Sequence, residues 1–239
     1  MATNEIYQYS IMSGLIDGVA NDGLPIQTLL THGDHGLGTF RHMVGEMIVI
    51  DGHVFQMKSD GSIVPIDLNT CTDITPFAMI TRFQPTQHTK AVIPSKKDFT
   101  RILGELTPKA RNLFVAFRID GMFKSVTVRT ADGQRFPGER VIELGKRQVT
   151  HVLEEVRGSL IGFRSPGYTQ GVSVAGDHLH FINTERTLGG HVLGFETEEE
   201  VHIGIAVISK VHLELPTDNS QFNEAALELD ASSIHKVEG

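Results

Sequence analysis

The chain has 239 residues, 40% of them hydrophobic and 21% charged, which suits a protein folded around a sizeable core and excludes a disordered one. Its 21 Lys and Arg stand against 29 Asp and Glu, a formal charge of −8 that argues against nucleic acid, and the basic pairs Lys96-Lys97 and Lys146-Arg147 are too short to form a local patch. A lone cysteine, Cys71, excludes an intrachain disulfide and a cysteine zinc cluster.

The N-terminal segment lacks the basic start and apolar core of a signal peptide, and no apolar run approaches the ~18 residues that cross a bilayer. The expectation is a cytoplasmic protein with no membrane partner. In chain order, Ile11, Leu15, Ile16 and Val19 share one side of a short predicted helix. Met47–Ile50 and Val54–Met57 flank Asp51-Gly52, an Asp-Gly pair of the kind that closes a tight hairpin. Ser95 and Asp98 make a capping-box-like start to a helix over 96–106, with Phe99, Ile102, Leu103 and Leu106 at helical spacing, and Thr107-Pro108 ends it. Leu113–Ile119 and Phe123–Val128 flank Asp120-Gly121, which predicts a second hairpin. A helix is expected around Val141–Gly145. Strands are expected at Ser159–Phe163, Gly171–Val174, His178–Ile182, His191–Phe195, Val201–Val207 and Lys210–Leu215, punctuated by Gly, Pro, Asn and Asp.

Twelve histidines are present, and one group stands out. In Gly176-Asp-His178-Leu-His180-Phe-Ile-Asn183 the two imidazoles are two residues apart, so on a strand they project from the same face while Leu179 and Phe181 point into the core. The stretch from Asn183 to Gly190 can turn the chain back and bring His191 beside the pair. Three imidazoles with a fourth place open suit a catalytic metal site. With nitrogen ligands only, zinc is the first choice, and cobalt, nickel, copper and iron stay open. The other histidines read as surface or hydrogen-bonded residues.

Several segments taken together resemble the acetolactate decarboxylase family. They are Ile6–Gly18, His32-Gly-Asp-His-Gly-Leu-Gly-Thr-Phe40, Gly45-Glu-Met-Ile-Val-Ile-Asp-Gly52, Arg111–Gly121, Val156-Arg-Gly158, Gly176–Ile182 and Gly189-Gly-His-Val192, in the family's order. The resemblance implies an α+β fold, predominantly β, of two similar mixed-sheet halves packed around a metal. The halves would be residues 1–130, with the helix near 96–106, and residues 131–239, with the metal ligands. It implies a homodimer acting on a small molecule. The reaction implied is zinc-dependent decarboxylation of 2-acetolactate to (R)-acetoin and carbon dioxide, the Zn2+ acting as a Lewis acid that stabilises an enediolate.

Carried over residue by residue, the family's zinc ligands fall on His178, His180 and His191. Its arginine, which would hold the substrate carboxylate, falls on Arg129. Two glutamates, either of which could deliver the proton, fall on Glu46 and Glu238, and a substrate-side threonine falls on Thr39. Two other classes compete. A cupin-like dioxygenase also uses a His-x-His strand and adds a carboxylate ligand, for which Glu185 is near enough in sequence. A non-enzymatic binding module with a structural metal would need a fourth protein ligand.

Overall fold

The structure is a computed structural model that describes residues 2–227. From the N-terminus, β1 (Ile6–Tyr9), α1 (Met12–Ile16), β2 (Leu24–Pro25), α2 (Ile26–Leu30), β3 (His35–Thr39), β4 (Glu46–Ile50), β5 (His53–Met57) and β6 (Ile63–Pro65) follow one another. Next come β7 (Ile74–Thr75), β8 (Ala78–Thr81), β9 (Gln87–Ala91), α3 (Lys96–Leu106), β10 (Phe114–Thr130) and α4 (Val141–Gly145). The chain continues through β11 (Val149–Ser165), β12 (Gly176–Asn183), β13 (Gly189–Glu196), β14 (Val201–Ile208), β15 (Val211–Glu214) and α5 (Ser220–Glu224). Among the described residues no helix is long and apolar enough to cross a membrane.

The larger sheet has seven strands in the order β15-β1-β8-β3-β4-β5-β6, and it is mixed because β15 runs parallel to β1. The smaller has six in the order β11-β12-β13-β10-β14-β9, and β10 and β11 also pair with each other, closing a circuit through β12 and β13. Sheet membership does not follow chain order: β9 and β10 belong to the smaller sheet, and β15 returns to the larger one. The two sheets share an apolar layer. Ile48, Ile50, Phe55 and Met57 of the larger pack on Ile161 and Ile182 of the smaller. The mostly β, α+β architecture expected from the sequence is the one observed.

Local chemistry explains the elements that were legible. At the β4–β5 turn Asp51 (φ 52) and Gly52 (φ 75) both take left-handed backbone, as a tight hairpin with the right twist requires. Ser95 accepts from the Asp98 amide at 3.1 Å and caps α3, whose Phe99 and Leu103 are wholly buried against the outer face of the smaller sheet. Each such side chain contributes about 1.5–3 kcal/mol of burial.

Two expectations need correction. Asp120-Gly121 does not turn the chain: β10 runs through it unbroken for 17 residues. Neither residue takes positive φ. The pair marks the place where β10 exchanges one neighbour for another, β14 as far as Asp120 and β13 from Ser125. Val201 packs so closely there that a Cβ on Gly121 would lie 2.5 Å from its Cγ1. Gly171–Val174 is not a strand. Gly171 (φ 90) follows a helical turn at Gly167–Thr169, and the segment spends its carbonyls on the start of α1, Met12 N to Val172 O at 3.0 Å and Ser13 N to Gly171 O at 2.8 Å.

Candidate metal centre and active site

β12 carries His178 and His180 on one face, while Leu179 and Phe181 lie buried in the core on the other with Phe123 and Phe195. Antiparallel pairing sets His180 opposite His191 of β13. His191 is in turn opposite Arg129 of β10. One row across three strands therefore holds an imidazole, an imidazole and a guanidinium, with His178 one step along. The turn that returns the chain is built on Asn183, whose Oδ1 accepts from the amides of Thr187 (2.8 Å) and Leu188 (2.9 Å).

The three histidines are 6%, 1% and 3% exposed, in chain order, and each offers a ligand atom within 4.8 Å of the others. Their ring centroids are 5.0–5.5 Å apart. Nδ1 of His180 lies 2.7 Å from the Met47 carbonyl of the larger sheet. A carbonyl can only accept, so Nδ1 carries a proton, and in the neutral imidazole the lone pair then lies on Nε2. Burial, reinforced by the positive charges of Arg129 and Lys96, pushes His178 down to about 3. Burial and Arg129, then the other two histidines and Lys96, hold His191 well below its ordinary value. Neutral imidazoles with directed lone pairs are the state that binds a metal ion. The donor set therefore fits a cation that takes nitrogen ligands.

The larger sheet supplies the opposite side. Glu46 Oε2 lies 3.6 Å from His180 Nε2. Thr39 pairs with Glu46 across β3 and β4, and its hydroxyl donates to the Gly45 carbonyl at 2.8 Å. Gly38, next to it, lets β3 approach β8 closely, since a Cβ there would lie 2.4 Å from the Phe77 carbonyl. A cavity of about 70 Å³ opens onto this constellation, with Thr39, Glu46, Arg129, His178 and His191 in its lining. Its apolar wall comes from Met12 and Leu15 of α1, Phe77, and Leu144 of α4.

Residues 6–229 match the family model for alpha-acetolactate decarboxylase. The chain belongs to the alpha-acetolactate decarboxylase family. The alpha-acetolactate decarboxylase of Methylococcus capsulatus is 37% identical over 98% of this chain and 89% of its own length. That of Klebsiella aerogenes is 38% identical over 98% and 88%. The crystal structure of the Bacillus subtilis protein of that name superposes with a TM-score of 0.92 at 36% identity, covering 98% of this chain and 99% of the other. The chain is thus an enzyme of a carboxy-lyase family.

Within this acetolactate decarboxylase fold, Arg129, Glu46 and Thr39 all reach the cavity beside the histidines, whereas Glu238 lies outside the described residues. Glu185 sits in the turn between β12 and β13, where its carboxylate accepts from Asn183 Nδ2 at 3.0 Å, and it is not part of the histidine group. Among the described residues that group contains no carboxylate or cysteine donor. Asp177, to which the sequence assigned no role, ties β12 to its neighbours. It takes Nε and Nη2 of Arg164 at 2.6 and 2.8 Å and the Thr100 hydroxyl at 2.6 Å. His35 is a core residue, 2% exposed and stacked on Phe83 at 4.3 Å.

Sequence reasoning missed Gln148, which lines the cavity and accepts from Arg129 Nη1 at 2.9 Å. It also missed Lys96, whose ammonium donates to the Val192 carbonyl at 3.2 Å. Lys146-Arg147-Gln148 reads as a polar surface turn, and only the pairing of Arg129 with Thr150 across β10 and β11 brings Gln148 to the site.

Proposed function

We propose that the chain decarboxylates 2-acetolactate to (R)-acetoin and carbon dioxide, with zinc held by His178, His180 and His191. The observation that carries this reading is the row of three strands that sets the Arg129 guanidinium beside the buried imidazoles of His191 and His180, with Arg129, His178 and His191 lining a small cavity. When bound, zinc supplies Lewis acidity that draws electrons toward the substrate's ketone and hydroxyl oxygens.

Arg129 binds the substrate carboxylate, and its planar fork of donors matches that group. When the bond to the carboxylate carbon breaks, its electron pair passes to the substrate's own ketone, so no organic cofactor is required. The product then needs one proton. Glu46 lies on the larger-sheet side of the cavity and is placed to deliver it from one fixed face, which yields a single enantiomer. Glu238 is the other candidate donor. Thr39 positions the substrate beside Glu46. The apolar wall of α1 and α4 accepts the methyl groups and keeps water from the reacting carbon. The assembly that goes with this reading is a homodimer, which sedimentation equilibrium tests.

The test is direct. Purified protein is given racemic 2-acetolactate with and without a chelator, and acetoin is followed by chiral chromatography. (R)-Acetoin made only by the metal-loaded protein supports the reading. Full turnover in metal-free protein overturns it.

A further inference from the structure

α4 is only five residues long, yet it is fastened at both ends. Glu139 precedes it, Arg147 follows it, and their side chains clasp each other. Arg147 Nη1 and Nη2 each lie 3.0 Å from the Glu139 carboxylate, which is 6% exposed. The same carboxylate accepts from the Arg135 amide at 2.7 Å, and Arg147 Nη2 also donates to the Gly133 carbonyl at 3.2 Å. Separating such a pair would leave a charge stranded away from water, so the clasp holds α4 in place.

Val141 and Leu144 are three positions apart and therefore share one side of α4. Both line the cavity, and both pack on the apolar cluster that contains Met12, Leu15 and Phe77. The cavity lining is divided. Thr39, Glu46, Arg129, His178 and His191 form its polar part, and side chains of α1 and α4 with Met43 and Phe77 form its apolar part. 2-Acetolactate is divided in the same way. Its carboxylate, hydroxyl and ketone occupy three adjacent carbons, and two methyl groups remain. Oxygens that face the polar part turn the methyls toward the apolar part. Met12 and Met43 are unbranched and adapt to extra volume. Leu144 is branched and 4% exposed, and a clasped helix cannot withdraw it.

We propose that Leu144, with Val141 beside it, is the specificity-determining wall that sets the length of alkyl group the substrate can carry. This deepens the acetolactate reading above and rests on it.

The probes are 2-acetolactate and two homologues, each two carbons longer. One carries propyl in place of the methyl on the hydroxyl-bearing carbon, and the other carries butanoyl in place of acetyl. Wild type, Leu144→Ala, Val141→Ala and the volume-conserving Leu144→Met are assayed for kcat/KM on each. The same proteins are titrated calorimetrically with the matching 2,3-dihydroxy acids, whose reduced ketone prevents decarboxylation. The quantity read is the ratio of longer compound to parent, in which any loss of folded protein cancels. Wild type should disfavour the longer compounds by at least about 10-fold. Leu144→Ala should raise the ratio by about 10-fold for at least one homologue, in kcat/KM and in affinity alike, the factor that burial of two methylenes commands. Val141 is half-buried, so Val141→Ala tests the same wall with less risk to folding and should move the ratio in the same direction. Leu144→Met should leave the ratio near its wild-type value.

Unchanged ratios in both alanine variants, an equal gain in Leu144→Met, or a wild type that takes all three compounds equally would overturn the proposal. If the wild type turns over none of the three and binds none of the dihydroxy acids, the acetolactate reading itself fails, a result distinct from the others.

Discussion

His180 of the smaller sheet donates its Nδ1 proton to the backbone carbonyl of Met47 in the larger one, 2.7 Å away. The acceptor is main chain, so no side-chain change at position 47 deletes it directly. The opposing layer thereby orients one of the three histidines that could hold a metal ion, and on the reading proposed above loss of that ion should be felt as loss of stability. A ligand that binds only the native state at a thousand times its Kd adds about 4 kcal/mol. Chelation should therefore lower the melting temperature of the wild type. His178→Ala should lack zinc and activity, keep a β-rich circular dichroism spectrum, and melt at the same temperature with or without chelator. A chelator-sensitive melt in that variant would place the cation elsewhere.

Arg129→Lys should retain zinc and lose at least about 10-fold in kcat/KM, because an ammonium is a point charge that cannot match a carboxylate with two parallel donors. Elemental analysis and steady-state kinetics on one preparation decide this. Undiminished turnover would remove Arg129 from the role of carboxylate clamp.

His35 yields a pH dependence away from the three-histidine group. Burial is the main cause that pushes it down to about 3, with Arg118 adding to it. In the unfolded chain it titrates near the ordinary histidine value of about 6.5. As pH falls through that value the unfolded state takes up a proton that the native state refuses until about 3, so stability is lost across that interval. The slope from this one group reaches about 1.4 kcal/mol per pH unit. His35→Leu should flatten the plot of unfolding free energy against pH between those limits by up to that slope, whatever offset it adds. An unchanged slope would show that His35 does not titrate in this way.

Asp177→Ala should destabilise the protein by about 3 kcal/mol in denaturant unfolding, since it strands a largely buried Arg164. The double variant with Arg164→Ala should lose clearly less than the sum of the two single losses. Additive losses would mean that the pair is not coupled.

What was legible in the sequence was local. The two-residue period of a strand aligned His178 with His180, and an eight-residue span from Asn183 to Gly190 was enough to foresee His191 returning beside them. Capping chemistry at Ser95 and the turn at Asp51-Gly52 were likewise visible because each depends on residues a few positions apart. Long-range register was not visible. That Arg129 faces His191, and that Gln148 meets Arg129, follow from how β10 lies against β13 and β11. His35-Gly-Leu-Gly-Thr39 carries the glycines of a loop but forms a central strand, because the close approach of β8 demands them. The Asp120-Gly121 pair misled for the complementary reason: the same dipeptide that closes a hairpin also serves where a strand changes neighbours.

The apolar seam formed by Ile48, Ile50 and Phe55 against Ile161 and Ile182 has a consequence for how activity is lost. The three histidines sit on one side of that seam and Glu46 with Thr39 on the other, so on the proposed reading competence is a property of docking and belongs to neither layer by itself. A slippage of one layer past the other by a fraction of a side chain would silence the enzyme while every strand stayed intact. Inactivation by heat or pressure should then run ahead of the loss of secondary structure.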